Sequence, residues 1–401
     1  MKKILYSFLL GISVMGATRA AAQCPAGRYD TELFPTYSVS TVTYSTPYNL
    51  QMDIYQPDGD TYPNRPLMIL GHGGSFIGGS KTDDPTIVEL CKRFAKRGYV
   101  TASINYRLGD LFSMAADSNK AISIVVKAIS DGKAAIRYFM KDAYTSNTYH
   151  IDTNNIFVGG NSAGAVLYMH VGYLGSMAEV PSYIADTMLT NGGFEGNSGN
   201  EGYNVKVRGI INLAGALNST SFINYNDKPS VNAQGTADNT VPYNCAYPLS
   251  GVVHVNLCGM GQLESVMATQ NIYHMTRIYD GEGHVPWSSN AVMLNSVDSM
   301  VEEFCYNIIC DGAAAVKETK NTTQVSLYPN PATGSVNISA GAALSAITIC
   351  DQTGRTLHTI TGIRSNSYTV NTGAFAPGLY FVRATFADGN VAPIVKQLVI
   401  Q

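Results

Sequence analysis

Val158-Gly159-Gly160-Asn161-Ser162-Ala163-Gly164-Ala165 reads as a buried strand that runs into a Gly-x-Ser-x-Gly turn and then into a helix that begins with small residues. A serine at the centre of such a turn is held on a tight strand-to-helix corner, so its hydroxyl stands clear of the backbone. The small neighbours let strand and helix approach closely. An ordinary core has little use for that geometry, whereas a nucleophile requires it.

Outward from this corner, residues 38–310 alternate strand and helix patterns. Residues 50–55 alternate apolar and polar, the pattern of a half-exposed edge strand. Residues 66–70 form a short apolar run ending at Gly71, a buried strand, and residues 99–106 form another. Residues 85–97 and 119–140 have helical periodicity, with Ile87, Leu90, Cys91 and Phe94 sharing one face of the first. Further strands are expected at 207–213, 230–234 and 276–279, and a closing helix at 291–309. This alternation predicts an α/β fold: a mostly parallel sheet with helices on both faces. Residues 177–204 are rich in Gly and Asn and lack a sustained period. They read equally as a cap over a site or as a surface insertion.

A serine hydroxyl is a weak nucleophile at neutral pH. It needs a base, a carboxylate to orient that base, and N–H donors for the oxyanion that forms. His284, in a Gly-containing turn after the last expected strand, is the best-placed base among the seven histidines. Asp238, in Gly235-Thr236-Ala237-Asp238, follows an expected strand and is the best-placed carboxylate. Asp280 and Glu282 are rivals that would have to fold back on His284. The donors are expected at Gly73 and Gly74, in Gly71-His72-Gly73-Gly74-Ser75-Phe76, together with Ala163 at the start of the helix. Phe76 and Trp287 lie near the expected site, either as ring-stacking surfaces or as packing residues.

These segments, in the order donors, Ser, Asp, His, resemble an α/β-hydrolase of the carboxylesterase type over residues 40–309. The segments that carry the resemblance are His72-Gly73-Gly74, Gly160-Asn161-Ser162-Ala163-Gly164, Gly235-Thr236-Ala237-Asp238 with Val241-Pro242, and Gly283-His284. Ser75, Ala165 and Gln234 depart from residues common in the family. The resemblance implies an ester hydrolase working through an acyl-enzyme on Ser162, with Asp238 and His284 completing the catalytic set and no cofactor or metal. Feruloyl or acetyl esters of polysaccharide, or polyesters, are the implied substrates. The alternatives are a peptidase with the same three residues and a non-catalytic surface binding protein.

The hydrophobic fraction of 45% suits a globular chain. A net charge of −3 gives no reason to expect nucleic acid or an anionic membrane as partner. Residues 1–22 read as a secretory signal peptide, with Lys2 and Lys3 before an apolar run and Ala20-Ala21-Ala22 at the cleavage site. No later segment is apolar enough to span a membrane. The seven Cys permit disulfides after export, and their odd number leaves at least one free within a single chain. Residues 23–310 are therefore expected as the catalytic domain and 311–325 as a linker. Residues 326–401 hold short strands separated by turns, a small all-β sandwich. Leu327-Tyr328-Pro329-Asn330-Pro331, Asp351-Gln352-Thr353-Gly354, Pro377-Gly378-Leu379-Tyr380 and Lys396-Gln397-Leu398-Val399-Ile400 resemble a type IX secretion sorting domain. That resemblance implies docking to the type IX machinery and export across the outer membrane of a Gram-negative bacterium, to a released or surface-attached state.

Overall fold

The computed structural model describes residues 24, 27–310, 325–351, 355–387 and 394–401. The expected signal peptide and residues 311–324 of the expected linker lie outside them. The chain divides into two compact units between Ala314 and Ala315.

The first unit is built on an eight-stranded sheet of order β1-β2-β4-β3-β5-β6-β7-β10. Its strands are β1 (Tyr37–Ser45), β2 (Leu50–Pro57), β3 (Arg65–Gly71), β4 (Val100–Ile104), β5 (Ile151–Asn161), β6 (Gly209–Leu213), β7 (Ser230–Gly235) and β10 (His274–Tyr279). A short ribbon, β8 (Cys245–Ala246) and β9 (Leu257–Cys258), stands apart from it. From β4 to β10 all neighbours pair in parallel, and β2 pairs antiparallel with both β1 and β4. Every residue of β3, β4, β6 and β7 is buried, which is why these strands read as continuous runs rather than alternations.

The helices are α1 (Pro85–Lys96), α2 (Leu111–Ala116), α3 (Ser118–Tyr144), α4 (Ala163–Tyr173), α5 (Ser182–Thr190), α6 (Met260–Thr269) and α7 (Ala291–Ile309). Side chains of α1 and α7 pack with Met68, Leu70 and Val231 on one face of the sheet. Those of α3 and α4 pack with Leu67, Ile69 and Val158 on the other. Asp84 caps α1 through Oδ1, which accepts from the N–H groups of Thr86 and Ile87, and Pro85 follows at the first helical position.

Two expectations change. Residues 50–55 belong to an interior strand, because β1 forms the edge beyond them. The alternation there comes from buried polar groups that are paired: Asp53 is 5% exposed, binds Lys81 Nζ at 2.7 Å and accepts from Thr41 Oγ1 at 2.5 Å. Residues 177–204 are not all loop, since α5 forms within them. Its stability comes from tertiary packing of Ile184 and Met188, which short-range periodicity in a nine-residue helix hardly registers.

The second unit places a three-stranded sheet and a four-stranded sheet around one core. The first sheet is β11 (Val325–Tyr328), β12 (Ser335–Ala340) and β15 (Ser367–Asn371). The second, in the order β14-β13-β16-β17, holds β13 (Leu344–Cys350), β14 (Thr356–Thr361), β16 (Gly378–Phe386) and β17 (Ile394–Ile400). Val336, Ile338 and Val370 from one sheet pack with Ile347, Ile349 and Val382 from the other, the expected sandwich.

Cys24 bonds to Cys310 across a separation of 286 residues, and Cys245 bonds to Cys258. Cys91 and Cys305 are free and buried, and burial pushes the Cys91 thiol up to about 12. Closing so long a loop restricts the unfolded chain strongly. Replacing Cys24 and Cys310 together by Ser is expected to destabilise the first unit by about 2–4 kcal/mol. Thermal unfolding of the variant checks this, and an unchanged Tm would contradict it.

Candidate active site

Ser162 sits at the junction of β5 and α4 with φ 56° and ψ −118°, a conformation L-residues rarely adopt. The corner exists because three backbones crowd there. A Cβ on Gly164 would overlap the carbonyl of Gly71 at the end of β3, and one on Gly160 would overlap the same carbonyl and the backbone of Gly164. Gly160 and Gly164 are thus required for the approach of strand to helix. Ser162 N–H donates to Leu213 O at 2.8 Å, which ties the corner to β6.

The three side chains selected from the sequence meet. His284 Nε2 lies 2.7 Å from Ser162 Oγ, and His284 Nδ1 lies 2.7 Å from Asp238 Oδ2. The other oxygen of Asp238 accepts from the N–H groups of Thr240 and Val241 at 2.9 and 3.0 Å. The Asp238 side chain is fully buried, while that of His284 is 20% exposed. His284 reaches this place because its loop crosses the end of β7 closely: a Cβ on Gly235 would overlap the carbonyls of Glu282 and Gly283. Val285 beside it has φ 45°, left-handed backbone in a β-branched residue. The partner of His284 Nδ1 is thus Asp238, while the rival Asp280 accepts from Thr236 Oγ1 at 3.0 Å.

The donor loop differs from expectation at one position. Gly73 N–H donates to Asp84 Oδ2 at 2.9 Å, so it is not free to hold an oxyanion. Among the described residues the N–H groups of Gly74, Ser75 and Ala163 have no protein acceptor. Gly74 has φ 117°, where a Cβ would overlap Gly78, and Ser75 and Phe76 follow with φ 54° and 61°. The backbone therefore turns at Gly74 and leaves the N–H of Ser75, not that of Gly73, without an acceptor beside it. Ala163 opens α4, whose N-terminus carries partial positive charge. His72 stacks on Tyr106 at 4.3 Å, and burial lowers its pKa and keeps the ring neutral.

Sequence reasoning missed Asp84. Its Oδ2 also accepts from Asn161 Nδ2 at 3.0 Å, and Asn161 Oδ1 accepts from Trp287 Nε1 at 3.2 Å. One carboxylate thus links the donor loop, the start of α1, the serine corner and, through Trp287, the segment that follows His284. An Asp-Pro pair before a helical run is a signal that could have found the cap; the second oxygen serves residues distant in sequence, which no local pattern shows. Trp287 is 1% exposed and is a packing residue, whereas Phe76 lines a cavity beside Ser162.

Two cavities meet at Ser75, Ser162 and Thr240. One is apolar and follows α4; the other is a groove bordered by His72, Asp83, His284 and Ser288. Among the described residues no three His, Cys, Asp or Glu side chains converge as a metal site.

Residues 52–218 match the BD-FAE family, and residues 326–401 match the secretion system C-terminal sorting domain. Probable carboxylesterase 3 of Arabidopsis thaliana is 25% identical over 160 residues, which are 39% of this chain and 47% of that one. The chain thus spans about half the length of that relative. Among solved structures, esterase 2 of Thermogutta terrifontis is similar in its apo form and in the form phosphonylated by sarin. Each has a TM-score of 0.50 at 18% identity, covering 69% of this chain and 96% of that one. At that identity the likeness is one of fold. Residues 52–218 are thus similar to BD-FAE domains, and residues 326–401 to the C-terminal sorting domains of a secretion system.

Asp84→Ala is expected to lower kcat by about 10- to 100-fold, because it releases both the donor loop and Asn161. It should also cost roughly 1 kcal/mol through the lost helix cap. Steady-state kinetics beside thermal unfolding separate the two effects; a variant with wild-type kcat would contradict the positioning role.

Proposed function

We propose that the protein is an exported serine carboxylic-ester hydrolase that works through an acyl-enzyme on Ser162. The observation that carries this reading is the pair of 2.7 Å contacts joining Ser162, His284 and Asp238 beside N–H groups without acceptors. Buried Asp238 accepts from His284 Nδ1–H and so leaves Nε2 to face the serine as a base. Nε2 takes the Oγ proton as Oγ bonds to the ester carbonyl carbon. The oxyanion that forms is held by the N–H groups of Gly74, Ser75 and Ala163, at the positive end of α4. When the tetrahedral species collapses, the bond to the alcohol oxygen breaks and His284 returns the proton to it. Water, activated by the same Nε2, then attacks the acyl-enzyme and restores Ser162.

The acyl group enters the apolar cavity and the alcohol leaves through the polar groove, since each then meets surface of its own polarity. In this reading residues 1–22 are a signal peptide, 23–310 the catalytic domain, 311–324 a linker, and 325–401, which begin with β11, the part that engages the type IX machinery.

Hydrolysis of p-nitrophenyl butyrate tests the assignment. Ser162→Ala and His284→Ala are expected to lose about 10⁴-fold or more in kcat, and Asp238→Asn roughly 10³- to 10⁴-fold. A folded Ser162→Ala protein as active as the wild type would refute it.

A further inference from the structure

The helix α2 borders two concavities. Met114 lines the apolar cavity beside Ser162, and Ser113 lines a second pocket of about 260 Å³. Arg107 and Asp110, from the loop between β4 and α2, line that pocket too, and α3 supplies Lys120, Ser123 and Lys127. Their spacing of three and four residues puts these three on one face of α3. The loop lies close against that face, since a Cβ on Gly109 would overlap Ile124 Cδ1. Gly109 N–H donates to Phe76 O at 2.8 Å. The pocket is thereby tied to the donor loop, at the residue that follows Ser75.

The pocket carries more positive charge than its partners neutralise. Arg107 is held rigidly: Nε donates to Asp131 Oδ1 at 2.9 Å, and Nη2 donates to Lys127 O at 3.0 Å and to Ser198 Oγ at 2.9 Å. Its guanidinium lies 3.8 Å from the centre of the Tyr48 ring. Arg107 Nη1 has no acceptor among the described residues, and neither Lys120 nor Lys127 has a hydrogen-bond or ion-pair partner for its Nζ there. Asp131 answers Arg107, and Asp110 caps α2 by accepting from Ser113 N–H at 2.8 Å. Two lysine charges thus stand against one capping carboxylate, in a chain of net charge −3. A positive pocket on a net negative protein is a local feature and not part of a general basic surface. The Ser123 hydroxyl also lacks a partner among the described residues. Phe112, between Asp110 and Ser113 in sequence, is 83% exposed.

Unpaired ammonium groups, a free hydroxyl and an exposed ring around one concavity match the chemistry of an acidic sugar. Its carboxylate meets the lysines, its hydroxyls meet Ser123 and Asp110, and its apolar face meets Phe112. We propose that this pocket is a carboxylate subsite, which binds a uronate residue of an acidic polysaccharide while an ester elsewhere on the same chain lies at Ser162. The inference rests on the ester-hydrolase reading above and names the polymer on which that site acts. A concave pocket with Asp110 in its wall suits a discrete carboxylate among hydroxyls. A uniformly anionic lipid surface would meet Asp110 as a like charge. The subsite touches none of the reacting atoms, so it holds ground state and transition state equally and acts through KM.

The test measures acetate release by the full mature chain from acetylated polygalacturonate and from acetylated neutral xylan of matched ester content. It is run at ~10 mM and ~1 M NaCl, between which the Debye length falls from ~30 Å to ~3 Å. At low salt kcat/KM on the acidic polymer is expected to exceed that on the neutral one roughly tenfold, through KM, and the ratio should approach one at high salt. Replacing both lysines (Lys120→Gln with Lys127→Gln) should remove most of that ratio, roughly threefold for each partly exposed ion pair lost. The pair Lys120→Arg with Lys127→Arg should keep it. Apart from turnover, Ser162→Ala should be retarded by unesterified polygalacturonate in affinity electrophoresis, and adding the two Gln substitutions should abolish the retardation. Equal kcat/KM on the two polymers at low salt, a ratio insensitive to salt, or a ratio unchanged by the Gln substitutions would overturn the subsite and leave the hydrolase reading standing. Lysine-dependent binding to phosphatidylglycerol vesicles with no preference between the polymers would overturn it in favour of a lipid surface. Lysine-dependent retardation by polygalacturonate in a folded protein inactive on every ester would overturn the hydrolase reading and leave the pocket as a polyuronate site.

Discussion

The carbonyl of Gly71, at the end of β3, lies where side chains on Gly160 and Gly164 would have to be. That crowding is the constraint on which the site depends. It allows β3, β5 and α4 to converge at one point, and it bends the chain through the left-handed conformation of Ser162. The hydroxyl is thereby placed at the carboxyl ends of the parallel strands, where β7 and β10 also deliver their loops. The same crossing puts the N-terminus of α4 behind the serine. The position of the Ser162 hydroxyl and the positive end of α4 beside it thus have one structural cause.

A second layer fixes the loops to one another. Asp84 spends one oxygen on capping α1 and the other on Gly73 and Asn161, while Asn161 holds Trp287. These are hydrogen bonds made by a charged group in a partly buried place, which are stronger than neutral ones. They join four segments that sequence separates widely. The left-handed residues Ser75, Phe76, Ser162 and Val285 cluster in these segments, and such backbone persists where surrounding contacts over-determine it. Ala163, Val166 and His170 of α4, with Leu174 at its end, also line the apolar cavity that opens beside Ser162.

Much of this was legible in the chain. Gly160-Asn161-Ser162-Ala163-Gly164, Asp238 and His284 each follow a strand readable from its apolar run, and the structure brings all three side chains within hydrogen-bond distance. The fold class follows from the same alternation. What escaped was tertiary in origin. In sequence Gly73 reads as a donor and Ser75 as a departure from the family, and only the reach of Asp84 from the cap of α1 shows that the Gly73 N–H is taken. Residues 50–55 alternate because Asp53 is buried beside Lys81, which a local pattern reads as exposure. α5 lacks a strong period because its packing surface is a few residues against a cavity wall. The pairing of Cys24 with Cys310 joins the extremes of the first unit, beyond any argument from spacing.

The account's central claim is that Ser162 Oγ carries the acyl group between two half-reactions. Its most direct test is the intact mass of the protein, acid-quenched milliseconds after mixing with p-nitrophenyl butyrate, followed by peptide mapping. The account predicts a transient mass increase of one butyryl group, confined to the peptide bearing Ser162 and absent from Ser162→Ala. An adduct on another residue, or turnover by the wild type with no adduct at any quench time and no burst of p-nitrophenol, would contradict it.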